Sequence, residues 1–204
     1  MVKRLLILGA GGHGGVVADV AEACGYDEII FVDERWPALT HKFIWPVVSA
    51  TLPEKLEDWH VAVAIGQNSN RLTQVRHFLA RGTTLPTLVH PAATVSKHAS
   101  LGHGTLVAAH AVVGVGARVG HGVIVNTAAT VDHDCHLADG VHISPGAHLA
   151  GTVTVGECTW IGIGAVVREG LAIGAQAMVG AGAAVVAPVP DGAQVLGIPA
   201  RRKS

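Results

Sequence analysis

Residues 107–143 read VAAHAVVGVGARVGHGVIVNTAATVDHDCHLADGVHI, and an aliphatic residue returns in this stretch at every sixth position. The same six-residue step runs from Val89 to Val185, and a small side chain recurs four positions after nearly every aliphatic one. A helix of period 3.6 or a flat strand of period two cannot give this repeat, whereas a short strand followed by a sharp turn can. Three such units close a triangular coil, so we predict five to six coils in which residues 18 apart stack in parallel ladders.

The six-residue step also assigns residues to the inside of the coil. The aliphatic residue points inward, and Cys135 occupies one of the small inward positions, which predicts a core residue and not a nucleophile. Glycine directly follows the aliphatic residue in several repeats, where a side chain would crowd the corner.

A different pattern occupies the N-terminal part. An apolar run at 4–8 leads into GAGGHG at 9–14, which fits G-x-G-x-x-G between a strand and a helix. Further strands are predicted at 28–32 and 60–65, and a second helix ends near Arg81. Residues 1–85 are therefore predicted to form a half-size, Rossmann-like α/β domain, with residues 86–204 as the second domain.

The glycine-rich turn predicts an anion site. Free N–H groups at a helix start bind phosphate, and Asp33, at the end of the second predicted strand, is placed for a ribose or a base. Full dinucleotide domains need about twice this length, so a mononucleotide or nucleotide sugar is favoured over NAD. The alternative is a glycine turn that only packs the helix on the strand.

Composition excludes several classes of protein. Charged residues make up 14% and the formal net charge is −1, which argues against disorder, nucleic-acid binding and a polybasic membrane surface. Residues 170–190 carry no charge, yet they keep the six-residue period, so we do not interpret them as a membrane span. Three cysteines without a CxxC pair fit reduced thiols, and no signal peptide is visible, which makes the cytoplasm the expected compartment.

One histidine of the 13 stands out by its neighbours. His133 lies between Asp132 and Asp134, and an adjacent carboxylate can hold an imidazole tautomer and raise its basicity, as a general base requires. His142 and the glycine of Ala150-Gly151 follow as candidates for contacts to a thioester. Most other histidines are predicted to be solvated.

Four motifs together resemble one family. They are GAGGHG followed by Asp33, the N-T-x-x-x-V-x-H-D-C stretch at 126–135, H-x-S-x-G at 142–146, and VLGIPAR at 195–201. The chain resembles, over essentially its whole length, the bacterial sugar acetyltransferases of the sialic-acid O-acetyltransferase and nucleotide-aminosugar N-acetyltransferase family. The resemblance implies a left-handed parallel β-helix of hexapeptide repeats, acetyl-CoA as co-substrate, and a homotrimer whose active sites lie between neighbouring helices.

The resemblance also implies roles for individual residues. His133 corresponds to the general base, and Asp134 to the acid that supports it. Arg201 or Arg202 is expected either to meet the phosphates of CoA or to belong to a solvated basic terminus. The positions implied to face acetyl-CoA are His142, Gly151 and Ile163, and those implied to face the nucleotide sugar are Gly11, Gly12, His13, Asp33 and Glu34.

We therefore expect transfer of an acetyl group from acetyl-CoA to the amino group of a nucleotide-linked amino sugar, with O-acetylation of sialic acid or a related sugar as the alternative. A γ-type carbonic anhydrase would need a metal-binding histidine two coils before the pair His98 and His103. The residues at those two positions are Ala62 and Gln67, so no metal is expected. A non-catalytic assembly protein would be expected to lack the His133–Asp134 pair. The residues do not determine the sugar, the nucleotide or the pathway.

Overall fold

The structure is a computed structural model that describes residues 2–53, 56 and 58–203. An α/β unit comes first along the chain, and a parallel β-helix built from six-residue repeats follows it. The predicted fold class is confirmed. The boundary at residue 85 stays a prediction, because outer residues of the β-helix pack in the same apolar cluster as the α/β unit.

The α/β unit is a five-stranded sheet in the order β3-β4-β2-β1-β5, parallel except for the β3–β4 pair. The strand predicted at 28–32 is confirmed, and the one predicted at 60–65 ends at Val63. The short β3–β4 pair was not predicted. Strand β3 has only two residues and β4 is interrupted by Pro46, so neither shows the alternation of apolar and polar residues that indicates a strand. The elements are β1 Arg4–Leu8, α1 Gly12–Ala23, β2 Glu28–Val32, β3 His41–Lys42, β4 Trp45–Ser49, β5 His60–Val63 and α2 Asn68–Ala80.

The β-helix has three faces, each a sheet in which successive strands lie 18 residues apart as far as residue 185. The first face holds β6 Leu88–Val89, β9 Leu106–Val107, β12 Ile124–Val125, β15 His142–Ile143, β18 Trp160–Ile161, β21 Met178–Val179 and β23 Gln194–Leu196, with β24 Arg201–Arg202 antiparallel at its end. The second face holds β7 Thr94–Val95, β10 Val112–Val113, β13 Thr130–Val131, β16 His148–Leu149, β19 Val166–Val167 and β22 Ala184–Val185. The third holds β8 Ser100–Leu101, β11 Arg118–Val119, β14 His136–Leu137, β17 Thr154–Val155 and β20 Ala172–Ile173.

The inside of the coil is filled as the period predicts. The second residue of nearly every two-residue strand is aliphatic and points into one continuous apolar cluster, together with the small residue four positions later. Cys135 is 1% exposed in this cluster, which confirms it as a core residue. Because each coil buries its apolar side against the next, the β-helix is a rigid column on which side chains can be placed.

The α/β unit lies on the first face. The outward residues Leu88, Leu106 and Ile124 are buried in the same cluster as Val17 and Ala21 of α1. Higher on the same face, Trp160 and Met178 are exposed. Within the described residues, no helix is both long and apolar enough to cross a membrane.

Candidate active site

His133 lies in the corner between the second and third faces, between β13 and β14. The Asp134 N–H donates to the carbonyl of Val115 on the coil before (2.9 Å), and the Thr152 N–H on the coil after donates to the carbonyl of His133 (2.9 Å). Stacking on both sides therefore fixes the backbone that carries the imidazole.

The His133 imidazole pairs with the following carboxylate. Its Nδ1 lies 3.0 Å from Oδ2 of Asp134, and Oδ1 of Asp132 accepts the His133 N–H at 2.7 Å. The hydrogen bond to Asp134, together with the negative charges of Asp132 and Asp134, raises the pKa of His133 above its ordinary value. The side chain is 51% exposed, so Nε2 is left for a ligand.

Two glycines make room for this pair. Asp134 has a left-handed backbone (φ 56°), and its carboxylate lies over Gly116, where a Cβ would overlap Oδ1. A Cβ on Gly151 would overlap Nε2 of His133. Gly151 therefore forms the floor beneath the exposed nitrogen of the imidazole, and only glycine leaves that space open.

A second polar cluster lies on the first face, around His142. The imidazole of His142 stacks on the indole of Trp160, with ring centroids 5.4 Å apart and an angle of 11° between the rings. The Trp160 Nε1–H donates to Oγ of Ser144 at 2.6 Å, which fixes the indole. On its other side, Nε2 of His142 lies 3.2 Å from Nδ2 of Asn126.

These contacts determine the tautomer of His142. Because Oδ1 of Asn126 accepts the Thr127 N–H at 2.8 Å, the amide group facing His142 is the donor Nδ2, and Nε2 must accept. The proton is then on Nδ1, which is buried and has no hydrogen-bond partner among the described residues. Burial and the charges of Arg71 and His13 lower the pKa of His142 to about 3, so the ring is neutral and offers an Nδ1–H donor.

The glycine-rich turn leads into α1 as predicted, with Gly11 as its N-cap. A Cβ on Gly11 or Gly12 would meet nothing within 4 Å, so the space beside these residues is open to a ligand. His13 follows inside the first turn, and burial, then the charge of Arg71, lowers its pKa to about 4.

Asp33 supports this turn from beneath. Its Oδ2 accepts the Ala10 N–H at 2.7 Å, and its two oxygens accept from the guanidinium of Arg35 at 2.6 and 2.9 Å. The hydrogen bonds from Arg35, aided by the one from Ala10, hold the pKa of Asp33 well below its usual range. A ribose hydroxyl would have to share this carboxylate with Arg35, whereas Glu34 is exposed in the adjacent turn.

The structure brings some predicted residues together and separates others. His133, Asp134 and Gly151 share one corner, whereas His142 lies on the first face, which is opposite that corner across the triangular coil. Ile163 is exposed in the corner between the first and second faces. Arg201 is exposed in β24, where its guanidinium donates to the carbonyl of Ala200 at 3.1 Å.

Arg71 and Trp160 were not singled out in the sequence. Arg71 lies on the buried side of α2 at helical spacing from Val75 and Phe78, and this polar residue in an apolar pattern was the available signal. Trp160 lies 18 residues after His142, so the period itself predicts their contact. In the described part of the chain, no group of three or more His, Cys, Asp or Glu residues converges as a metal site would require.

Comparison with known proteins gives a consistent picture. Residues 4–78 match the family model of the PglD N-terminal domain. The chain is 36% identical over 113 residues to a UDP-N-acetylbacillosamine N-acetyltransferase of Bacillus subtilis strain 168. The matched residues are 53% of this chain and 52% of that protein. The match thus spans about half the length of that relative.

Solved structures from two bacteria match over the whole chain. The acetyltransferase domain of PglB from Neisseria gonorrhoeae FA1090, in complex with acetyl coenzyme A, is 44% identical with a TM-score of 0.94, and 100% of each chain is covered. PerB from Caulobacter crescentus, in complex with CoA and GDP-perosamine, is 36% identical with a TM-score of 0.90, and the match covers 100% of this chain and 99% of that one.

Proposed function

We propose that this chain, which belongs to the family of nucleotide-aminosugar N-acetyltransferases with a PglD N-terminal domain, transfers the acetyl group of acetyl-CoA to the amino group of a nucleotide-linked amino sugar. The observation that carries the proposal is the His133–Asp134 pair above Gly151, in a chain that matches acetyltransferases over its whole length. The resemblance read from the motifs is confirmed at the level of the family.

The chemistry needs a base and an electrophile in contact. The sugar amine attacks the thioester carbonyl carbon, and Nε2 of His133 takes the proton that the nitrogen loses, while Asp134 holds the imidazolium through Nδ1. Collapse of the tetrahedral intermediate breaks the C–S bond, and the thiolate of CoA takes the proton back from His133. The Gly151 N–H makes no hydrogen bond within the described residues and is free to donate to the developing oxyanion.

A complete site requires two copies of the chain. His133 and His142 lie on opposite sides of the same β-helix, so the His142 that serves a given His133 belongs to a neighbouring protomer. Two opposite sides of one column meet two different partners, and a heterologous contact of this kind forms a ring when its rotation closes. The smallest such ring is a homotrimer, and the exposed Val112 and Val166 of the second face supply apolar surface for it.

The nucleotide sugar would be held mainly by the α/β unit. The open space at Gly11 and Gly12, at the N-terminus of α1, suits a diphosphate, and His13 lies in the first turn of the same helix. Asp33 and Glu34 are proposed to meet the nucleoside. On the β-helix, His142, Gly151 and Ile163 are proposed to contact acetyl-CoA, and Arg201 its phosphates.

The glycine turn gives a prediction with an internal control. Gly12→Ala is expected to leave the fold intact, because its Cβ meets nothing, and to raise KM for the nucleotide sugar about tenfold by separating a phosphate from the backbone N–H groups. Gly14→Ala should instead destabilise the protein by about 1–3 kcal/mol, since its Cβ would overlap the carbonyl of Gly9. Steady-state kinetics and thermal unfolding measure both, and equal effects of the two changes on KM would contradict the assignment.

The dependence of kcat/KM on pH gives a second prediction. The base must be unprotonated, so activity should be lost as the pH falls through the raised pKa of His133. Asp134→Asn removes the charge and replaces the carboxylate by an amide oxygen, a weaker acceptor, so the pKa of His133 falls and the acidic limb should move to lower pH while the plateau falls. An acidic limb at the same pH in both proteins would show that it belongs to another group.

The proposal is tested by incubating the purified protein with acetyl-CoA and a panel of acceptors. UDP- and GDP-linked 4-amino sugars, free sialic acid and CMP-sialic acid are compared by thiol release and by the mass gain of one acetyl group. Turnover of an amino sugar supports the proposal, and turnover of sialic acid alone would replace it with O-acetylation. We propose the cytoplasm as the compartment, because the three cysteines are free thiols.

A further inference from the structure

Arg71 on α2 is a buried cation without a carboxylate partner among the described residues. Its side chain is 1% exposed, and a buried guanidinium is tolerated only when its donors are all satisfied. Arg71 has five N–H groups and makes five hydrogen bonds. Their partners lie on both parts of the molecule.

On the β-helix, Arg71 binds two successive coils. Its Nε donates to the carbonyl of Gly122 and its Nη2 to the carbonyl of Gly140, both at 2.8 Å. The next residue in this column is Cys158, whose carbonyl accepts from Nδ2 of Asn68 at 3.0 Å. Oδ1 of Asn68 in turn accepts from Nη2 of Arg71 at 2.9 Å. The two side chains thus bind three consecutive coils, which fixes the height of α2 along the β-helix.

On the α/β unit, Arg71 holds the loop between β5 and α2. Its Nη1 donates to the carbonyls of Ile65 (3.1 Å) and Gly66 (3.2 Å). This loop adjoins the glycine-rich turn, since the Ala64 N–H donates to the carbonyl of Leu8 and a Cβ on Gly9 would lie 3.1 Å from the carbonyl oxygen of Ala64. Arg71 therefore links the turn proposed to hold phosphate directly to the corners of the β-helix.

We propose that Arg71 is a positioning residue that sets the placement of the α/β unit on the β-helix, so that a sugar whose nucleotide is held at the glycine turn reaches the site of acetyl transfer. The inference rests on the proposed function. It goes beyond the proposed roles of the site residues, because Arg71 is assigned no contact with either substrate. A slip by one coil would shift the sugar by about 4.8 Å, far more than acetyl transfer tolerates.

The proposal predicts which ligands are sensitive to Arg71. Acetyl-CoA is proposed to bind to the β-helix, and a nucleoside diphosphate alone to the α/β unit, so neither spans the joint. Only the complete nucleotide sugar has to bridge the two parts. Loss of the placement should therefore reduce turnover without a matching loss of either binding affinity, whereas general unfolding would reduce all three together.

The test uses Arg71→Lys in the full chain, which keeps the charge but cannot reach carbonyls of both parts at once. The matched control is Arg76→Met, since Arg76 also joins α2 to the β-helix, but through exposed ion pairs with Asp139 and Glu157. Asn68→Ala is the second variant in case Arg71→Lys does not fold, and it removes the contact to the third coil together with one of the acceptors of Arg71. Calorimetry measures the binding of acetyl-CoA and of UDP or GDP. Steady-state kinetics give kcat/KM for the nucleotide sugar.

For Arg71→Lys we expect kcat/KM to fall at least about tenfold, with both affinities within about twofold of the wild type, and for Asn68→Ala a smaller change of the same kind. Arg76→Met should match the wild type. Unchanged turnover, or a parallel fall of turnover and both affinities, would overturn the proposal. Hydrogen exchange tests the positioning role of Arg71 separately from the proposed function. Amides around Ile65 and Gly122 should exchange faster in Arg71→Lys but not in Arg76→Met, whether or not the wild type acetylates a sugar. Equal exchange in all three proteins would overturn it as well.

Discussion

Replacing His133 by alanine is expected to lower kcat at least about 10²-fold while changing the affinity for acetyl-CoA by less than about twofold. A positioned general base contributes about 10²–10⁴ to the rate of proton transfer, and the exposed imidazole is not part of the core. Single-turnover measurements with saturating acetyl-CoA isolate this step from product release.

His136→Ala is the matched control for this change. His136 is exposed on the third face three residues further along the chain, and its replacement should leave kcat unchanged. If His133→Ala retained wild-type turnover, His133 would be an ordinary solvated residue and the base would have to be sought elsewhere.

Gly151→Ala is expected to reduce kcat by about 10² without lowering the stability of the β-helix. The added methyl group would overlap Nε2 of His133, and the exposed imidazole can rotate away more easily than the stacked backbone can move. A displacement of about 1 Å at a reacting group costs about 10² in rate. The change thus displaces the imidazole of His133 from its working position but keeps the base in the protein.

The neighbouring change Thr152→Ser controls for disturbance of the corner, because it adds no atom between Gly151 and His133 and keeps a hydroxyl that can donate to the Gly151 carbonyl. Its kcat should equal that of the wild type. Thermal unfolding of all three proteins shows whether the coil is intact. Full activity of Gly151→Ala would mean that His133 acts from a rotamer in which Nε2 does not lie over Gly151.

Much of the site was already contained in the period of the sequence. Because residues 18 apart stack, the contact of Gly151 with His133 and that of Trp160 with His142 follow from position alone. The spacing of nine residues between His133 and His142 is half a coil, and half a coil places two residues on opposite sides. The sequence therefore determined that one chain could not bring them together, although their proximity in sequence invites the opposite interpretation.

The sequence alone determined the β-helix, the burial of Cys135, the strand-turn-helix at GAGGHG and the family, because each depends on a short pattern that repeats or stands in one segment. The tertiary structure decided the rest. It showed that Asp33 is already engaged by Ala10 and Arg35, and that Arg71 joins the two parts. The Asp33–Ala10 contact joins two segments of the α/β unit that share no period, so no local pattern encodes it. The contacts of Arg71 with the β-helix form only when the α/β unit packs its apolar surface on the first face.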